Sequence, residues 1–235
     1  MTGQSTVIVA AFATFALAPS DAAAAPERAT LDAWQQYITR VEAQLDRSRG
    51  VTRSIPDALS PAGECVPVPS GTISHWHGAV FLRGITLDRL LTGLMNPGTP
   101  PPQADVVASR VLARGDRSLR VYIRLVRRAI VTATYDTEHQ ILFTRHSPTL
   151  ASARSVATRI EEVGGSDRGF LWRLHSYWRY EQRPDGVLVE LESLTLSRSV
   201  PAVARPIAMP LVNRIARESM TRTLDALKRY FERSA

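Results

Sequence analysis

One cysteine, Cys65, and one lysine, Lys228, are all that the 235-residue chain holds of either type. A lone cysteine excludes an intramolecular disulfide and any cysteine-built metal cluster. It also lies far from the N-terminus, so no lipid-anchoring cysteine follows the leader described below. With lysine nearly missing, arginine carries the positive charge: 29 Lys plus Arg stand against 22 Asp plus Glu, a net charge of +7. Nucleic-acid binding calls for basic residues gathered on one face within a recognisable module. Here the arginines are scattered, so nucleic acid is not expected as a partner. The basic balance fits at most a weak contact with an anionic membrane surface.

Several chemistries lack their motifs. There is no Gly-rich phosphate loop, no G-x-S-x-G elbow and no Cys–His arrangement around Cys65. Long apolar runs are scarce too. Residues 7–18, VIVAAFATFALA, are uncharged and apolar, but a spanning helix needs about 20 such residues. Small residues follow in AAAAP, so residues 1–25 read as a cleavable export signal cut near Ala24/Ala25, although residues 1–6 carry no Lys or Arg. The protein is therefore expected to be periplasmic or secreted. At 44% hydrophobic, the chain can build one sizeable core.

Residues 26–69 read as a helix and a linker. In ATLDAWQQYITRVEAQLDRS (29–48), Leu31, Trp34, Ile38, Val41 and Leu45 share a helical face, with Thr30 or Asp32 near a capping position and Gly50 as the stop. A loop rich in Pro and Gly follows through SIPDALSPAGECVPVPSG. Residues 70–233 read as one domain. TISHWHGAVFLRG (72–84) has strand character, and ITLDRLLTGLMNPG holds a short helix begun near Thr86 and Asp88. Residues 104–199 read as strands joined by tight turns in a single antiparallel meander. The last element is a helix over 210–231 in which Leu211, Ile215, Met220, Leu224, Leu227 and Phe231 share a face. Pro201, Pro206 and Pro210 are expected at or before its start.

The segment GFLWRLHSYWRYEQRPDGVLVELESLTL (169–196) is the most informative. Folding it about Pro184-Asp185 pairs Gln182 with Val187. Arg179 then lies opposite Glu190, Trp178 opposite Leu191, Tyr177 opposite Glu192 and Ser176 opposite Ser193. A slip of one residue would set charges against tryptophans. One face carries Phe170, Trp172, Leu174, Ser176, Trp178 and Tyr180, joined by Val187, Val189, Leu191, Ser193 and Thr195. The other carries Arg173, His175, Arg179, Glu190 and Glu192, read as solvated charges that set the register. Flat, the strand over 169–182 would be about 46 Å long at 3.3 Å per residue, so it must coil or bulge around something. The C-terminal helix is the obvious object.

This order of elements resembles the START-like, or Bet v 1-like, helix-grip superfamily. Glu192 to Pro201, where the last strand leads into the final helix, and Arg217, Glu218, Ser219, Thr223 and Leu224 within it are similar to secreted bacterial members. The resemblance covers roughly residues 70–233. It implies an α+β helix-grip fold: a long curved antiparallel sheet wrapped around a long C-terminal helix, with short helices near the first strand. It also implies a cavity between sheet and helix for a hydrophobic or amphipathic small molecule, lipid-like or aromatic.

The candidate ligand-binding set is the inward face of the hairpin. Phe170, Trp172, Leu174, Trp178, Tyr180, Val189 and Leu191 supply apolar area, and Ser176, Ser193 and Thr195 supply hydroxyls. No residue is assigned a catalytic role. Cyclases and aromatases share the fold, but such an enzyme needs a titratable group inside, and the hairpin's inward parity offers only Tyr180. A third reading is an envelope interaction module with a filled core. No cofactor or metal is expected. His75 and His77 share one side of a strand, but His139, His146 and His175 lie on other elements, short of the three or four ligands a metal takes. A monomer is expected.

Overall fold

The hairpin register is the one expected, with Gln182 paired to Val187, Trp178 to Leu191 and Ser176 to Ser193. It forms the centre of an eight-stranded antiparallel sheet in a computed structural model that describes residues 26–48, 58–96, 105–128, 132–164, 170–199 and 205–232. The expected export signal lies outside those residues. In chain order the elements are α1 (Arg28–Ser48), β1 (Ala58–Val68), β2 (Gly71–Arg83), α2 (Leu87–Met95), β3 (Val106–Gly115), β4 (Ser118–Arg128), β5 (Thr132–Ser147), β6 (Leu150–Glu162), β7 (Leu171–Arg183), β8 (Gly186–Arg198) and α3 (Arg205–Glu232). Strands β3 to β8 make the expected meander. β2 then pairs with β8, and β1 forms the edge beyond it.

Three local expectations are corrected. Residues 58–68, read as loop, form β1. Its prolines are tolerated because Pro61 falls at a register shift and the strand is an edge, where a missing N–H need not break a ladder. Thr30 lies inside α1 and does not cap it; its hydroxyl donates to the Pro69 carbonyl at 2.6 Å and ties the helix to the β1–β2 turn. Pro210 lies inside α3, which begins at Arg205. By contrast, Thr86 caps α2 as expected, accepting from the Arg89 N–H at 3.2 Å.

The sheet has two apolar faces, and each is covered by a helix. On the concave face Trp76, Val80, Leu82, Tyr180, Val187, Val189 and Leu191 pack against Met220, Leu224, Leu227 and Phe231 of α3. α3 comes closest to β1 and β2. Gly78 permits this: a Cβ there would stand 3.0 Å from Leu224 Cδ1 and 3.1 Å from Met220 Sδ. On the convex face Trp34, Ile38 and Val41 of α1 cover Ile73, Tyr177, Leu194 and Leu196. The outward parity of the hairpin is thus not a solvated face. His175 and Tyr177 are buried there, and Arg179 and Glu190 keep only about 15% and 14% of their side-chain surface.

Candidate functional site: the concave face beside the last helix

Apolar character changes sides along β8. Val187, Val189 and Leu191 point inward and are buried, but the next inward residues, Ser193 and Thr195, carry hydroxyls. Beyond Leu191 it is the outward residues, Leu194 and Leu196, that are fully buried, against α1. β7 repeats the pattern, with Tyr180 and Trp178 inward, then Ser176. The concave face therefore has two zones. One is filled by apolar side chains from sheet and α3. The other is floored by half-buried Leu174, Ser176, Ser193 and Thr195, with Ser155 of β6 opposite Ser176.

Sequence reasoning placed eight of its ten site residues on this face and misplaced two. Trp178 and Tyr180 stack with their ring planes 14° apart, 6.5 Å between centroids, and Val189 and Leu191 lie in the packed zone. Trp172 is the first correction. The β7–β8 register shifts between Leu171 and Arg173, which makes Trp172 the extra residue of a bulge and turns it to the convex face among Trp34, Ile73 and Leu196. Phe170 is the second. It precedes β7, is 43% exposed, and contributes its backbone: its carbonyl accepts from the Arg198 N–H at 2.9 Å.

Two inward residues were missed because they lie outside the hairpin. Trp76 pairs with Ser193 and is buried, and its indole N–H has no hydrogen-bond partner among the described residues. His139 on β5 is buried opposite Ala157, with Nε2 3.1 Å from Thr137 Oγ1 and Nδ1 3.3 Å from Ser155 Oγ. Burial pushes its pKa down to about 4, so the imidazole is neutral at pH 7. The period-2 alternation through Tyr135, Thr137, His139, Ile141 and Phe143 was the available signal. At the rim, Cys65 donates to Asn213 Oδ1 of α3 at 3.2 Å, and burial raises its pKa.

The hydroxylated zone ends at a gap in the sheet. β6 and β7 pair only from Leu150–Glu181 to Val156–His175, although both strands continue. Each carries a bulge where they part, at Thr158 in β6 and Trp172 in β7. The gap encloses about 640 Å³, bordered by residues 157–162 and 171–173 and roofed by Pro26 and Leu31.

A curved sheet closed on a long last helix is also the architecture of known proteins. The STAR-related lipid transfer protein of Xanthomonas axonopodis (fragment 25–204) superposes with a TM-score of 0.51 at 16% identity, over 72% of this chain and 98% of that one. The fold is START-like. A Thermus thermophilus protein of the same fold gives a TM-score of 0.53 at 14% identity, covering 68% of this chain and 99% of its own. Human STARD10 gives 0.51 at 7% identity, over 80% and 79%. Neither a family model nor a curated protein matches the sequence.

His75 and His77 of β2 lie on the convex side, where His75 has local partners. His75 Nδ1 lies 3.0 Å from the Tyr37 hydroxyl and its Nε2 3.2 Å from Glu192 Oε2. His77 is exposed on the same side.

Proposed function

We propose that the protein is an exported binding protein that holds a hydrophobic or amphipathic small molecule between the concave face and α3. The observation that carries this reading is the change of apolar parity at Leu191. A face that packs on a helix gains by staying apolar, whereas one that meets a ligand's polar end gains from a few placed hydroxyls. Ser176, Ser193 and Thr195 supply those hydroxyls, the buried Trp76 N–H is a further donor, and Trp178 gives apolar area beside them. The Xanthomonas protein named for lipid transfer supports a lipid-like ligand. Export rests on residues 1–25, and cleavage near Ala24/Ala25 leaves the described domain intact.

Native mass spectrometry of the protein purified from its own host, followed by solvent extraction, tests both halves. The expected result is a chain shortened by its leader and carrying a discrete apolar molecule. An apo mass, with no thermal shift across a lipid panel, would sink the binding reading; an uncut N-terminus would sink the export reading. His139 favours a second reading, a cyclase- or aromatase-like enzyme, because it puts a neutral imidazole on the concave face. Conversion of the extracted molecule by wild type but not by His139→Gln would favour the enzyme.

A further inference from the structure

The floor of the hydroxylated zone ends a hydrogen-bond relay whose proton positions are set from inside the sheet. Thr137, fully buried on β5, donates from Oγ1 to the Ile123 carbonyl at 2.9 Å. A hydroxyl has one proton, so toward His139 Nε2, 3.1 Å away, Thr137 presents only lone pairs. His139 is buried and neutral, with one N–H and one ring lone pair to place. On Nε2 the N–H meets the Thr137 oxygen; on Nδ1 it would leave two lone pairs facing each other at 3.1 Å. Nδ1 therefore carries the lone pair, and the Ser155 hydroxyl, 3.3 Å away, donates to it.

Ser155 is the half-buried end of this relay and lies opposite Ser176. Its single proton is turned toward His139, so what it offers across the concave face is an acceptor. Side chains directly opposite each other in an antiparallel pair have Cβ atoms about 4.5–5.5 Å apart, so one ligand oxygen can donate to Ser155 while accepting from Ser176. An alcohol oxygen does both. A carbonyl or ether oxygen only accepts, and would set its lone pairs against those of Ser155. Leaving a buried acceptor unmet costs about a factor of ten in affinity.

We propose that Ser155 selects the ligand's polar end: the concave face takes an alcohol in preference to a ketone or ether of the same skeleton. Ser155 is the specificity-determining residue, and Thr137 and His139 are positioning residues that set the sense of its hydroxyl. The inference rests on the binding reading above and names the end group of that ligand.

The test joins two measurements on the full chain. Long-range proton–nitrogen correlation of the imidazole rings, with His139 assigned by its loss in His139→Gln, should show the Nε2–H tautomer with no ligand added. The Nδ1–H tautomer would overturn the proposal. Calorimetric titration then compares methyl decyl ketone with the alcohol made by reducing it, and the alcohol should bind about tenfold more tightly. Ser155→Ala should bring that ratio close to one. Thr137→Val should lower it while mixing the two tautomers, a change that a loss of packing would not produce. Equal binding of the pair by the wild type, or a ratio unmoved in Ser155→Ala, would overturn the proposal and leave the binding reading standing. Binding of neither compound would sink the concave face as a site for apolar molecules, and the end-group inference with it.

Discussion

Trp172 and Trp178 share β7 and the same sequence parity, yet they face opposite sides of the sheet, because Trp172 is the extra residue of a bulge. Their substitutions should separate stability from binding. Trp172→Ala empties the contact with α1 and should cost about 3–5 kcal/mol in urea unfolding, with little change in affinity for a fluorescent fatty acid. Trp178→Ala should lower that affinity at a smaller cost in stability. Loss of affinity from Trp172→Ala alone would remove the concave face as the site.

The hairpin's central charge is an internal network. Arg179 lies 2.7 Å from Glu190 and 2.9 Å from Glu181, and Glu181 also takes Arg183 at 3.1 Å. Truncating the centre of a buried pair leaves its partners uncompensated, which costs about 3–5 kcal/mol. Arg179→Ala should therefore destabilise by that amount in chemical denaturation. Adding Glu190→Gln should restore part of the loss; an additive double variant would show that the charges act separately.

Acid should weaken the fold through two histidines. Burial holds His139 near 4, and burial followed by the Arg154 charge holds His175 near 4, against 6.5 for a free imidazole. As pH falls through 6.5 the unfolded chain takes up protons that the native one refuses. Stability therefore declines between about 6.5 and 4, and this contribution flattens below 4, where the native histidines protonate too. The slope of unfolding free energy should approach two protons in that window. His139→Gln should reduce it toward one.

What the sequence discloses, it discloses through alternation. Tyr177, Trp178 and Arg179 find Glu192, Leu191 and Glu190 because only one register keeps charge opposite charge on both strands. Trp172 breaks the same rule, since a bulge inserts a residue without changing the local composition. α1 was legible as a helix from Trp34, Ile38 and Val41, but its place was not. The residues it covers, Ile73, Leu194 and Leu196, lie far along the chain, and alternation within one strand does not say which helix will cover a face. The parity switch after Leu191 carries that information and was read only as polarity on the inner face. β1 was hidden by its own prolines, which edge strands accept and central strands do not.

Gly78 sets the distance between sheet and α3. A methyl group at this position meets the ends of two adaptable side chains, so Gly78→Ala should be mild. Gly78→Val should push α3 off β2 and cost about 1–3 kcal/mol, the usual range for overpacking. Thermal unfolding checks both. An unaffected Gly78→Val would mean that the helix does not bear on β2 here.

The gap between β6 and β7 divides the sheet into leaves. β1, β2, β8 and β7 form one leaf, braced by α1 and α3; β3 to β6 form the other. Between them the strand ladder runs only from Leu150–Glu181 to Val156–His175, along one end of the strands. Two plates fixed along part of a common edge flex most where they are free. In mechanical terms the seam is where the sheet should bend most easily, and the hydroxylated zone beside His139 lies next to its unpaired end.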